Sequence, residues 1–153
     1  MIINTTRFGE VEISEQSILQ IPDGMLGFES NDRYILLEDK PDSPFKWLQS
    51  VDEPALAFIV VNPLEFLGNY DIDLPDDDAE QLGLKSAADA AILTTVTVDL
   101  DEGMITTNLL GPIVINSETL RAKQVVLQDE RYGTKQVIGQ RSNVDNSIEV
   151  AAA

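Results

Sequence analysis

The chain predicts an all-β, mostly antiparallel fold: a small β-barrel-like domain with one or two short helices. Three observations carry that expectation. Ile92, Thr94, Val96, Val98 and Leu100 alternate with Leu93, Thr95, Thr97 and Asp99, and a period of two marks a strand with one face buried. Leu56 to Val61 is a short unbroken apolar run rich in β-branched and aromatic residues, as expected of a strand covered on both faces. Roughly ten such segments recur at regular spacing between Gly, Pro, Asn and Asp punctuation, which suits a closed or nearly closed barrel or a sandwich.

In chain order, Ile2 to Thr6 and Glu10 to Ile13 flank Phe8-Gly9 as a hairpin. Short strands are expected at Ile18 to Ile21, Tyr34 to Leu37 and Phe45 to Gln49, because these apolar stretches are too brief for helices. Phe45, Trp47 and Gln49 share one face of their strand, opposite Lys46, Leu48 and Ser50, and the lone Trp is expected to fill the core. Between the first two of these strands, Ile21 to Phe28 reads as a turn, with Pro22 fixing one φ and Gly24 and Gly27 free to take positive φ. Pro54 marks entry into the Leu56 to Val61 strand, and Pro63 opens a short turn through Leu67. A helix is expected from about Asp76 to Gly83, since three consecutive aspartates favour the positive end of a helix dipole. After the alternating strand, Asp101-Glu102-Gly103 reads as a hairpin loop into Ile105 to Leu109, and Gly111-Pro112 interrupts before Ile113 to Asn116. Lys123 to Leu127 and Lys135 to Ile138 complete the strands. Residues 1–139 are expected to form a single domain, and 140–153, polar and ending in three alanines, a flexible tail.

With 153 residues, 43% of them apolar, the chain can bury a core despite a net charge of -17. That charge opposes phosphate, so neither RNA, DNA nor anionic lipid is an expected partner; proteins with basic or apolar faces are. The acidity is concentrated. From Lys46 to Lys85 no cation intervenes, while Asp52, Glu53, Glu65, Asp71, Asp73, Asp76, Asp77, Asp78 and Glu80 fall inside the interval. The apolar run from Ala55 to Val61 is too short to span a bilayer and the first residues lack a secretory signal, so a cytoplasmic location is expected.

Histidine and cysteine are both absent, which removes imidazole bases, thiolate nucleophiles and ordinary zinc sites, and no phosphate-binding glycine loop is present. The expectation is a non-enzyme without cofactor. Two alternatives remain open. The acidic stretch from Asp71 to Glu80 raises a calcium-dependent module, although it lacks the glycine and glutamate positions of the EF-hand loop. A carboxylate hydrolase is the other, although nothing singles out one acid with an apolar neighbourhood. A protein-docking surface formed by Asp71, Asp73, Asp76, Asp77, Asp78 and Glu80, with Phe66 and Tyr70 as exposed apolar anchors, is the expected site.

Several segments, in order, resemble the FliW family. They are Pro22-Asp23-Gly24-Met25-Leu26-Gly27-Phe28, Phe45-Lys46-Trp47-Leu48-Gln49-Ser50 leading through Pro54 to Ala57-Phe58-Ile59-Val60-Val61-Asn62-Pro63, then Thr107 to Asn116, then Ala122 to Leu127. The resemblance covers about residues 1–138, with Gly111 standing where the family often has alanine. Length and composition lead us to expect a monomer when free, and the resemblance implies a small antiparallel β-barrel without catalytic activity that acts in flagellum biogenesis. FliW-like proteins bind CsrA, an RNA-binding translational repressor of flagellin synthesis, and alternatively bind flagellin. The resemblance therefore implies a switch, acting away from the RNA site, that couples flagellin export to flagellin translation.

Overall fold

A computed structural model of the chain describes residues 1–140, so of the expected tail from 140 to 153 all but Gln140, which ends a strand, lies outside the described residues. The strands are β1 (Ile2–Thr5), β2 (Gly9–Glu12), β3 (Leu19–Gln20), β4 (Arg33–Leu37), β5 (Lys46–Ser50) and β6 (Ala57–Val61). After helix α1 (Asp76–Leu82) come β7 (Ala90–Val98), β8 (Met104–Thr107), β9 (Ile113–Asn116), β10 (Ala122–Gln124) and β11 (Gln136–Gln140). All the strand ladders are antiparallel. β1 and β2 form a separate hairpin, and the main path runs β10-β9-β7-β6-β5-β4-β3, with β8 on β7 and β11 on β8.

The path bends until its ends meet. Gln20 and Arg121 form a single parallel bridge, and the Gln20 N–H donates to the Leu120 carbonyl at 2.9 Å. The wall is thus barrel-like without a ladder along the seam. Its interior is packed by Leu19, Ile21, Met25, Tyr34, Leu48, Val60, Ile113, Ile115 and Ala122, each large side chain contributing about 1.5–3 kcal/mol by leaving water. Tyr34 lies in this interior, and burial pushes its phenol up to about 12.

The unbroken Leu56 to Val61 run is covered on both faces as expected: Val60 points into the interior, while Ile59 and Val61 join a second cluster with Phe45, Trp47, Val96 and Ile105. Trp47 therefore fills this flanking cluster and not the barrel centre. The N-terminal hairpin covers it, with the Phe8 ring edge-on at 6.2 Å and the Arg7 guanidinium 4.1 Å from its ring centre.

Gln49, the next residue on that face, is fully buried. Its Nε2 lies 3.1 Å from the Ser50 carbonyl, 3.4 Å from that of Glu53, 3.2 Å from that of Pro54 and 3.2 Å from that of Leu56. One amide thus ties down the loop between β5 and β6. The arrangement also fixes the amide's orientation, since a flipped oxygen would face four carbonyl oxygens.

The Ile21 to Phe28 turn is glycine-dependent at a defined point. Gly24 has φ of 70°, and a Cβ there would lie 2.6 Å from Glu29 Cα and 2.8 Å from the Phe28 carbonyl oxygen. Elsewhere the strand from Lys123 to Leu127 is shorter than expected, but Val125 and Leu127 continue it in extended form, donating to the carbonyls of Pro112 and Leu110 at 2.8 Å each.

A candidate protein-docking surface

Val61 faces Thr94 across β6 and β7, and the chain between them carries the acidic stretch. The Asn62 side chain caps the turn from Pro63 to Glu65 by accepting the Leu64 N–H at 3.0 Å. Phe66 follows, half-buried, with its ring 5.6 Å from that of Phe45 and packed on the flanking cluster. It gives an anchor only with its uncovered part.

Tyr70 departs from expectation, because it is buried and not an exposed anchor. Its hydroxyl donates to the Leu109 carbonyl at 2.6 Å and its ring meets Tyr132 edge-on at 4.7 Å. Burial pushes the phenol well above its ordinary value. Tyr132 completes the clasp: its hydroxyl donates to the Asp71 carbonyl at 2.8 Å and accepts the Asp71 N–H at 3.0 Å. Both tyrosines thus hold the chain in place where the acidic stretch begins.

From there Asp71-Ile72-Asp73-Leu74 alternates. Asp71 and Asp73 are exposed, while Ile72 and Leu74 pack on a cluster of Leu82, Val114, Val125 and Leu127. α1 starts after Pro75 with Asp76, Asp77 and Asp78 in its first turn, where the helix dipole favours carboxylates. It ends at Gly83, whose φ of 67° allows the N–H groups of Gly83 and Leu84 to bond back to Glu80 and Ala79 at 3.0 Å each. The Asn116 amide donates to the Leu82 carbonyl at 2.8 Å, fastening the helix end to β9.

The expected site residues therefore divide. Asp71, Asp73, Asp76, Asp77 and Glu80 are exposed on one short stretch of chain, an acidic ridge along the sequence. Asp78 is half-buried, in an ion pair of 2.6 Å with Lys123. Lys123 also donates to Gln81 Oε1 at 2.8 Å and the Arg131 guanidinium reaches the Asp71 carbonyl at 3.5 Å, so the stretch that has no cation in sequence gains two in space.

Among the described residues no three carboxylates come together to hold a metal ion. Two carboxylates of the described residues have displaced acidities, and both move downward: hydrogen bonds from Arg33 lower Asp52, and hydrogen bonds from Arg131 lower Asp129. That direction is wrong for a general acid. No helix of the described residues is long and apolar enough to cross a membrane.

Reasoning from sequence missed the apolar face of the Ile21 to Phe28 turn. Leu26 is 55% exposed and Phe28 43% exposed. The Leu26 N–H donates to Gln124 Oε1 at 2.9 Å and the Phe28 ring meets Phe58 at 5.3 Å. The signal was available in principle: a tight glycine turn that buries Met25 sends its neighbours outward.

Comparison with known proteins agrees with this architecture. The family model described as FliW protein matches residues 2–138. A flagellar assembly factor FliW of Geobacter sulfurreducens is 44% identical over 135 residues, covering 88% of this chain and 84% of the relative. One of Bacillus subtilis is 41% identical over 142 residues, covering 93% and 99%. A crystal structure of the flagellar assembly factor FliW superposes with a TM-score of 0.82 at 36% identity, covering 92% of this chain and 99% of the other. With a family model spanning nearly all of its described residues and relatives above 40% identity along most of their length, the chain belongs to the FliW family.

Proposed function

We propose that this protein is a non-enzymatic flagellar assembly factor of the cytoplasm, monomeric when free, that binds a CsrA-type translational repressor and, alternatively, flagellin. The observation that carries this reading is the ridge of Asp71, Asp73, Asp76, Asp77 and Glu80, held on a fastened scaffold in a chain of net charge -17. Docked on an RNA-binding protein, such a surface places negative charge near the RNA path. Repulsion reaches about 8 Å at physiological salt, so RNA affinity falls without the RNA site being covered. Flagellin termini supply amphipathic helices before assembly, and the exposed Leu26 and Phe28 offer apolar contact to such a helix.

The test is a competition titration. In a gel-shift assay the protein alone should not retard RNA at physiological salt, yet should release RNA from a CsrA-type repressor, and added flagellin should restore the repressor-RNA complex. A stable three-way complex of protein, repressor and flagellin with both affinities unaltered would remove the switch.

The ridge has its own expected result. Replacing Asp73, Asp76 and Asp77 with Asn, which leaves the Asp78–Lys123 pair intact, should slow association with the repressor several-fold at low salt and flatten its salt dependence. Stopped-flow mixing across a salt series measures this. Unchanged rates would place the repressor contact away from the ridge.

A further inference from the structure

The strand β7 has a free edge, and its position follows from the register. The carbonyls of Asp89 and Thr95 accept N–H groups from Ser117 and Asn108 at 3.0 Å each, and the Asp99 N–H donates to Met104 at 2.8 Å. These odd-numbered residues turn their peptide groups toward the β8 and β9 side. Alternation along a strand then turns those of Ala90, Ile92 and Thr94 toward β6. Thr94 meets Val61 there. The next partner on that edge would be Pro63 opposite Ile92, but Pro63 has no N–H to donate and begins a turn that leads the chain away. β6 and β7 accordingly pair only at Val60–Thr95 and Val61–Thr94, while Ala90 to Leu93 pair only with β9.

Where the pairing stops, a cleft of about 380 Å³ opens, lined among others by Lys46, Pro63, Glu65, Tyr70, Ala90 and Ile92. A second hollow of about 280 Å³, lined among others by Ile72, Leu74, Leu84, Lys85, Ala90 and Ile92, borders the same stretch of β7. The two meet at the side chains of Ala90 and Ile92. A strand laid along this edge would find backbone partners at Ala90 and Ile92, and apolar cover from Ile72 and Leu74 for every second side chain.

Charge decides what kind of strand fits. Lys46, the cation lining the cleft, is paired with Glu38 at 3.4 Å. Glu65 is exposed and forms no ion pair among the described residues. The open charge at the cleft is therefore negative at Glu65, Lys85 adds one exposed cation at the second hollow, and the field over both is that of a strongly acidic molecule of net charge -17.

We propose that the β7 edge at Ala90 to Leu93 is a docking site for an extended, lysine- or arginine-bearing segment of a protein partner, bound by strand addition. The proposal deepens the protein-binding reading above by naming the partner's local form. It does not depend on whether that partner is the repressor or flagellin.

The probe is an N-acetylated, C-amidated hexapeptide of alternating lysine and valine, titrated into the full chain and followed by amide NMR and hydrogen exchange. Expected are half-saturation on the order of 0.1–1 mM, new protection of the Ala90 and Ile92 amides, and a loss of at least about tenfold in affinity when N-methyl groups block one edge of the peptide but not the other. Glu65→Lys, at an exposed position, should weaken the lysine peptide several-fold without changing the thermal midpoint, and a glutamate-valine peptide should not bind. The proposal is overturned by absence of binding at several millimolar, by binding indifferent to N-methylation, or by protection confined to another edge such as β11. Because neither repressor nor flagellin is in the tube, these outcomes are read separately from the competition titration.

Discussion

At about pH 7.5 a Gln49→Glu variant should lose on the order of 3–5 kcal/mol of stability and recover most of it near about pH 4. The native amide brings two N–H groups among the carbonyls of Ser50, Glu53, Pro54 and Leu56 in a fully buried position. A carboxylate there brings no donor and sets its charge against carbonyl oxygens. The folded chain therefore favours the protonated acid, whose O–H still serves one carbonyl, and the folded pKa rises above the unfolded value of about 4.3. Between those two values the folded state binds more protons than the unfolded state. Stability of the variant thus falls as pH rises through the window, by about 1.4 kcal/mol per pH unit, and levels off above the folded pKa. Urea unfolding of variant and parent at matched pH measures the difference, which also removes the background titration of the other acids. Gln49→Leu should show a loss that does not vary with pH; the same flat profile in Gln49→Glu would contradict the donor role.

Gly24→Ala is the second large effect, with an expected cost of about 3–5 kcal/mol, the sum of left-handed strain and steric overlap. The overlap is with backbone, Glu29 Cα at 2.6 Å and the Phe28 oxygen at 2.8 Å, so no side chain can swing aside to relieve it. The turn it disturbs places Ile21 and Met25 in the barrel interior. Gly27 is the internal control. Its φ is 85° but nothing lies within 4 Å of its built Cβ, so Gly27→Ala should cost only about 1 kcal/mol. Thermal denaturation should place the first variant about 10 °C or more below the parent and the second within about 4 °C. Equal losses would mean that strain alone acts at Gly24.

The fold was legible wherever local pattern and burial coincide. The alternation from Ile92 announces β7 because Thr94, Val96 and Val98 turn to a covered face, although Leu100, read with it, lies exposed beyond the strand's end, and Ala57 to Val61 announces β6 because both faces meet a core. Gly24 was legible as a turn residue, though not the backbone overlap that demands glycine. What escaped depends on residues distant in sequence. Nothing around Tyr70 forecasts that the Leu109 carbonyl and the Tyr132 ring will bury it. Nothing in the run from Asp71 to Glu80 forecasts that Lys123 will claim Asp78. The free edge of β7 needs the pairing register, which turns an ordinary proline after β6 into a break opposite Ile92.

Since Val61 and Thr94 already lie side by side, the whole acidic stretch between them is an excursion that leaves the wall and returns to the same place. Its attachments fall at separate points: Phe66, Ile72, Leu74, Leu82 and Leu84 reach the packed clusters, while Leu109 holds Tyr70, Tyr132 holds the Asp71 backbone, Lys123 holds Asp78 and Asn116 holds the Leu82 carbonyl. The entropy of closing such a loop grows by only about 0.6 kcal/mol for each doubling of its length. Between the fastened points, then, residues can be inserted, removed or recharged at little thermodynamic penalty. What this face attracts can thus change without redesign of the barrel that carries it.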